Sequence, residues 1–161
     1  MYGPLGFIPT LNLLRLRLQP TAAREPAEPL TPCGFAEFIR RDRAAIGFDR
    51  SDLLKDLSSR AGSKLVSSGG AVALLRDGRA ARHIGPLFAA IDDRALALVH
   101  RIVGHEAGSL LIDAVAPTDE FLKGLIDRGW TIERPFQRMR LGSISSRPQE
   151  LPFAVAGPEY G

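Results

Sequence analysis

Two stretches of this 161-residue chain repeat each other at a fixed offset of 123 residues (6 to 129, 15 to 138). Gly6-Phe7 corresponds to Gly129-Trp130, and Arg15-Leu16-Arg17-Leu18 to Arg138-Met139-Arg140-Leu141. Each copy is a glycine-aromatic turn running into a strand whose side chains alternate between two faces. Only the end of the first copy is present, whereas the second closes a long body, so the pattern predicts the tail of one unit followed by a whole second one. The expected boundaries are 1–18 for the C-terminal strand of a preceding unit, 19–32 for a proline-rich linker, "QPTAAREPAEPLTP", and 33–161 for a domain.

The body is long enough to build one core. Hydrophobic residues make up 45% and charged residues 24%, a globular balance that argues against disorder and against a membrane protein. No apolar run reaches membrane-spanning length and the start carries no secretory signal pattern, so a soluble, cytoplasmic chain with no membrane contact is expected. A net charge of +3 suits a small anionic ligand and is too slight to argue for nucleic acid. Cys33 is the only cysteine, which removes any disulfide framework. It is expected to be an inert, half-buried thiol. His83, His100 and His105 show no ligand spacing, so no metal is expected.

Within the body, Phe35, Phe38, Ile39 and Ile46 recur at helical spacing with arginines opposite. A second helix, opened by Asp49 or Ser51, should bury Leu53, Leu54 and Leu57 and close near Gly62. Two strand-like runs, 70–78 and 79–90, meet at Asp77-Gly78, a strong hairpin signal. A helix capped by Asp92 or Asp93 follows, with Leu96, Val99, Ile102 and Val103 inward. "SLLIDAVA" at 109–116 reads as a buried strand stopped by Pro117. Thr118 then caps a helix expected to bury Phe121, Leu122, Leu125 and Ile126, and a pair of strands, "WTIERPFQRMRLG" and "PFAVAGPEYG", ends the chain. Because strands at 84–89 and 109–115 are joined by a helix, they should be parallel neighbours. The fold class is α/β (α+β by some schemes): a mixed, mostly antiparallel twisted sheet with helices on both faces.

The "Y-x-x-L-G-F" of Tyr2 to Phe7 resembles the helix-to-strand junction near the C-terminus of the GNAT superfamily of N-acetyltransferases. "FDRSDLL" (48–54), "HIGPLFA" (83–89), "IDAVAP" (112–117), "RGWTIERPFQRM" (128–139) and the terminal "AVAGPEYG" resemble a divergent GNAT-type domain that follows a first one in tandem. The resemblance implies acetyl-CoA as donor substrate and an amine of a small molecule or peptide as acceptor. It also implies two splayed parallel strands whose gap takes the pantetheine arm, with the pyrophosphate at the start of the next helix. On this sequence the gap lies between "HIGPLFA" and "LLIDAVA", and Leu87, Phe88, Ala89, Arg94 and Ala95 become the donor-binding candidates. The turn at 90–95 departs from the family pattern: it carries Asp92 and Asp93 and no glycine, and two carboxylates repel a pyrophosphate.

By the same resemblance an acid four residues before the glycine-aromatic turn protonates the departing sulfur. That position is Tyr2 before Gly6, but Leu125 before Gly129, which cannot transfer a proton. His83 and Asp113 are the candidate bases. The expected function is an N-acetyltransferase with its chemistry mainly in a first domain; the alternative is a non-catalytic GNAT-like module that binds a ligand or partner. A missing first GNAT domain or a homo-oligomer is the expected macromolecular partner.

Overall fold

The computed structural model describes residues 5–20, 27–141 and 151–160. Seven strands form one sheet in the order β2-β3-β4-β5-β6-β1-β7. They are β1 (Phe7–Leu18), β2 (Thr31–Pro32), β3 (Lys64–Ser68), β4 (Ala71–Asp77), β5 (Arg82–Phe88), β6 (Leu110–Val115) and β7 (Thr131–Leu141). Four helices complete the fold: α1 (Phe35–Ile46), α2 (Ser51–Ser59), α3 (Asp92–His105) and α4 (Asp119–Ile126). Every pairing is antiparallel except β5 with β6, which run parallel at Arg82–Ile84 against Leu110–Ile112 with α3 between them in sequence.

Alternation along β4 shows how two faces are covered. Ala71, Ala73 and Leu75 join a core with Leu98, Ile102 and Phe121 of α3 and α4, while Val72 and Leu74 join a second core with Phe38, Leu54 and Leu57 of α1 and α2. Helices therefore lie on both faces, as the pattern predicts. Thr118 caps α4, its hydroxyl accepting from the Phe121 N–H at 3.1 Å.

Several details differ from the sequence-based expectations. β3 adds a strand that the Ser-rich "KLVSS" does not advertise. Ile126, expected inside, is 46% exposed because α4 ends there and turns away at Asp127. Neither Asp92 nor Asp93 is the cap of α3: the N-cap is Ile91, with no side-chain hydrogen bond, and the Asp92 carboxylate instead accepts from the Thr118 hydroxyl at 2.8 Å. The N-terminal strand is part of the same sheet: β1 lies between β6 and β7. Both copies of the repeat begin with the same backbone, Gly6 at φ +82° and Gly129 at φ +87°, a left-handed conformation that favours glycine.

Candidate active site

β5 and β6 separate just after their parallel pairing, at Gly85-Pro86, where proline has no N–H to give the ladder. The gap that opens is not empty. Residues Phe153–Ala156 run through it and bond to both walls. The Phe153 N–H donates to the Leu87 carbonyl at 2.8 Å and the Leu87 N–H to the Ala154 carbonyl at 3.0 Å. On the other wall the Val115 N–H donates to the Phe153 carbonyl at 3.0 Å, and the Val155 N–H to the Asp113 carbonyl at 3.1 Å. Ala154, Val155 and Ala156 are fully buried. A Cβ on Gly85 would lie 2.0 Å from the Val155 carbonyl oxygen, so the tail passes against a position that only glycine can fill. The terminal apolar run, expected as the last strand of the chain, bridges β5 and β6 through Ala154.

Beneath the tail sits a buried polar cluster. Asp113 on β6 accepts a bidentate pair from Arg15 of β1, Nε to Oδ1 at 2.7 Å and Nη2 to Oδ2 at 2.8 Å. It also meets His83 Nε2 of β5 at 2.8 Å. The other ring nitrogen, Nδ1, lies 3.3 Å from Arg76 Nη2, which can only donate, so the network places the shared hydrogen of the His83–Asp113 bond on Nε2. Burial acts to raise the Asp113 carboxyl, but the hydrogen bonds from Arg15 and His83 outweigh it and hold it below its ordinary value. Arg76 is pushed below its ordinary value by burial; it donates to the Ala156 carbonyl and lies 5.5 Å from the Tyr160 ring, which ties the cluster to the tail.

The sequence-derived candidates thus divide. His83 and Asp113 are brought together, with every polar side-chain atom of the pair engaged. Leu87 and Phe88 are buried on the wall of the gap, and the Leu87 backbone is taken by the tail. Ala89 is half-buried beyond them. The amides of Arg94 and Ala95 both donate to the Ile91 carbonyl at 3.2 Å. The Arg94 guanidinium lies against Gly69, in the turn between β3 and β4. Tyr2 falls outside the described residues. Leu125 is fully buried in the core. Arg15, Arg76 and the tail were not singled out as site residues by sequence reasoning. The available signal was the apolar run ending in Gly157, which marks a strand without saying which strands receive it. Among the described residues no group of three or more His, Cys, Asp or Glu could hold a metal, and no helix is long and apolar enough to cross a membrane.

A sheet with one parallel pair that splays apart, flanked by helices on both faces, is the geometry the sequence resemblance anticipates. The family model for the acetyltransferase (GNAT) domain matches residues 38–153, most of the chain. The chain belongs to the GNAT acetyltransferase family. Solved structures share the GNAT fold at low identity. An assigned acetyltransferase from Pyrococcus horikoshii superposes with a TM-score of 0.75 at 19% identity, over 99% of this chain and 55% of that one. A GCN5-related N-acetyltransferase from Anabaena variabilis ATCC 29413 does so with a TM-score of 0.58 at 13% identity, over 86% of this chain and 42% of that one. The chain therefore spans about half the length of the structures it matches. No protein of curated function matches it.

Proposed function

We propose that the chain serves a cytoplasmic N-acetyltransferase that moves an acetyl group from acetyl-CoA to an amine of a small molecule or peptide, and that the GNAT domain described here is the half that does not load the donor. In that transfer the amine nitrogen attacks the thioester carbonyl, the C–S bond breaks, one proton leaves the nitrogen and one reaches the departing sulfur. Tyr2 is the residue proposed to protonate that sulfur, in the unit to which β1 belongs.

The observation that carries the reading is the tail between β5 and β6. A pantetheine arm would need the backbone groups of Leu87, Asp113 and Val115, which Phe153, Ala154 and Val155 already hold. Two further features support it. Asp92 and Asp93 stand in the first turn of α3, where a pyrophosphate would sit, and carry the wrong charge for it. Leu125 stands where the acid would be, buried among hydrocarbon. With their polar atoms engaged, His83 and Asp113 hold β1, β5 and β6 together rather than take a proton from an acceptor. Leu87, Phe88, Ala89, Arg94 and Ala95 would meet a donor only if the tail left the gap.

Isothermal calorimetry of the chain with acetyl-CoA tests this. No binding heat at ~1 mM donor is expected, where a working site binds in the micromolar range or tighter. A micromolar dissociation constant would overturn the reading.

A further inference from the structure

The two copies of the repeat are paired with each other. Leu13 of β1 faces Phe136 of β7, its own equivalent at the offset of 123 (13 to 136). An antiparallel ladder in which a residue faces its equivalent has a local two-fold axis at that pair. The ladder's two irregularities obey the same axis. Thr10 is the unpaired residue between Pro9 and Leu11 on β1, and Glu133 the unpaired residue opposite the Arg15–Leu16 step, again one offset apart (10 to 133).

A two-fold axis makes each strand's surroundings a forecast of the other's. On its far side β1 meets β6 along Leu13–Leu18. The same rotation carries those residues to Phe136–Leu141 of β7, on the side where the sheet ends. Arg15 finds Asp113 opposite it. Its equivalent Arg138 has no carboxylate partner among the described residues, although it is half-buried and stands near Arg50 and Arg140. Leu18 is 6% exposed beneath the helices of its own body, whereas its equivalent Leu141 is 63% exposed.

We infer that the edge of β7 from Phe136 to Leu141, which meets no further strand among the described residues, is the docking site for the β6-equivalent strand of a second GNAT-type unit, laid antiparallel, with an acidic side chain opposite Arg138. Charge complementarity selects the occupant, since Arg138 is a cation placed where its twin holds a carboxylate. Length agrees: the matched structures are about twice as long as this chain, room for a second unit of the same size. Main-chain bonds give the attachment, and the helices of that unit cover Leu141 as α3 and α4 cover Leu18. Pro135, which lacks a donor, precedes the contact and leaves it intact. The inference rests on the repeat and its register, and stands whether or not the donor gap is closed.

The probe is a peptide with the sequence of residues 108–116, GSLLIDAVA, carrying a polar solubilising tail, added to the full chain. Calorimetry should show binding, and hydrogen exchange should show new protection confined to Phe136–Leu141. Replacing the peptide's aspartate by asparagine, or Arg138→Glu in the chain, should weaken binding about tenfold or more. No protection at ~1 mM peptide overturns the inference. Protection indifferent to both changes overturns it too. So does an edge already protected without peptide in proportion to chain concentration, since a second copy would then be the occupant.

Discussion

β1 and β7 carry one pattern in two environments. Leu16 and Leu18 are buried, while Met139 is half-buried and Leu141 exposed. Arg15 is raised above its ordinary value, first by the hydrogen bond to Asp113, against the opposing pull of burial. Arg138 is lowered by burial, with Arg50 and Arg140 adding to it. An Arg-apolar-Arg-Leu ending therefore fixes which faces a strand shows, and the neighbouring strand fixes what those faces cost. A half-buried guanidinium with a carboxylate opposite is an anchor; without one it is an open position.

The sharpest way to break the comparison is to remove the carboxylate that distinguishes the two copies. Asp113→Ala leaves Arg15 and His83 facing each other in a buried site, and a loss of about 3–5 kcal/mol is expected from urea unfolding. Arg138→Ala should change stability by no more than about 0.5 kcal/mol. Equal costs for the two would abolish the distinction. Asp113 also predicts a pH dependence. Its carboxyl lies below the ordinary value in the folded chain, so its contribution is complete above the unfolded value of about 3.9 and is lost as pH falls from there toward the folded value. The urea midpoint difference between the chain and Asp113→Asn should shrink as pH falls below about 4.

A smaller contrast comes from the apolar partners. Leu16→Ala is expected to cost about 2–5 kcal/mol, since Leu16 is fully enclosed, and Met139→Ala under about 1 kcal/mol. Comparable melting shifts would mean that β7 is covered after all. Smaller again is the effect at the tail. Val155→Pro removes the donor to the Asp113 carbonyl and should cost about 1–3 kcal/mol. Micromolar acetyl-CoA binding gained by that variant would make the tail a removable cover rather than a fixed strand. Replacing Asp92 with Gly and Asp93 with Asn should by itself raise donor affinity only marginally, because the gap stays filled.

Much of the fold is legible in the sequence where a local device sets it. Asp77-Gly78 marks the β4–β5 hairpin, whose connection is the four residues 78–81, Thr118 fixes the start of α4, and Pro117 ends the run that forms β6. The site is less legible because it is assembled by distance. Nothing near Asp113 in sequence announces Arg15, 98 residues away, as its partner. Nor does "FAVAG" say that it enters the gap beside Gly85; the signal lies in Gly85 as much as in the tail. Nor does the first turn of α3 show that the Asp92 carboxylate accepts from the Thr118 hydroxyl, 26 positions later, instead of capping its own helix.

The central claim is that β1 and β7 are interchangeable copies about a two-fold axis at Leu13 and Phe136. Sedimentation velocity on a chain that begins at Gln19, and so lacks β1, tests it most directly. Two such chains should pair β7 with β7 at Phe136, each strand taking the place of β1 beside the other's β6, with Arg138 meeting Asp113 of the opposite copy. The account predicts a folded dimer that dissociates on dilution and is weakened by Arg138→Glu. A folded monomer with an unchanged melting temperature would contradict it, as would a chain that folds in no oligomeric state.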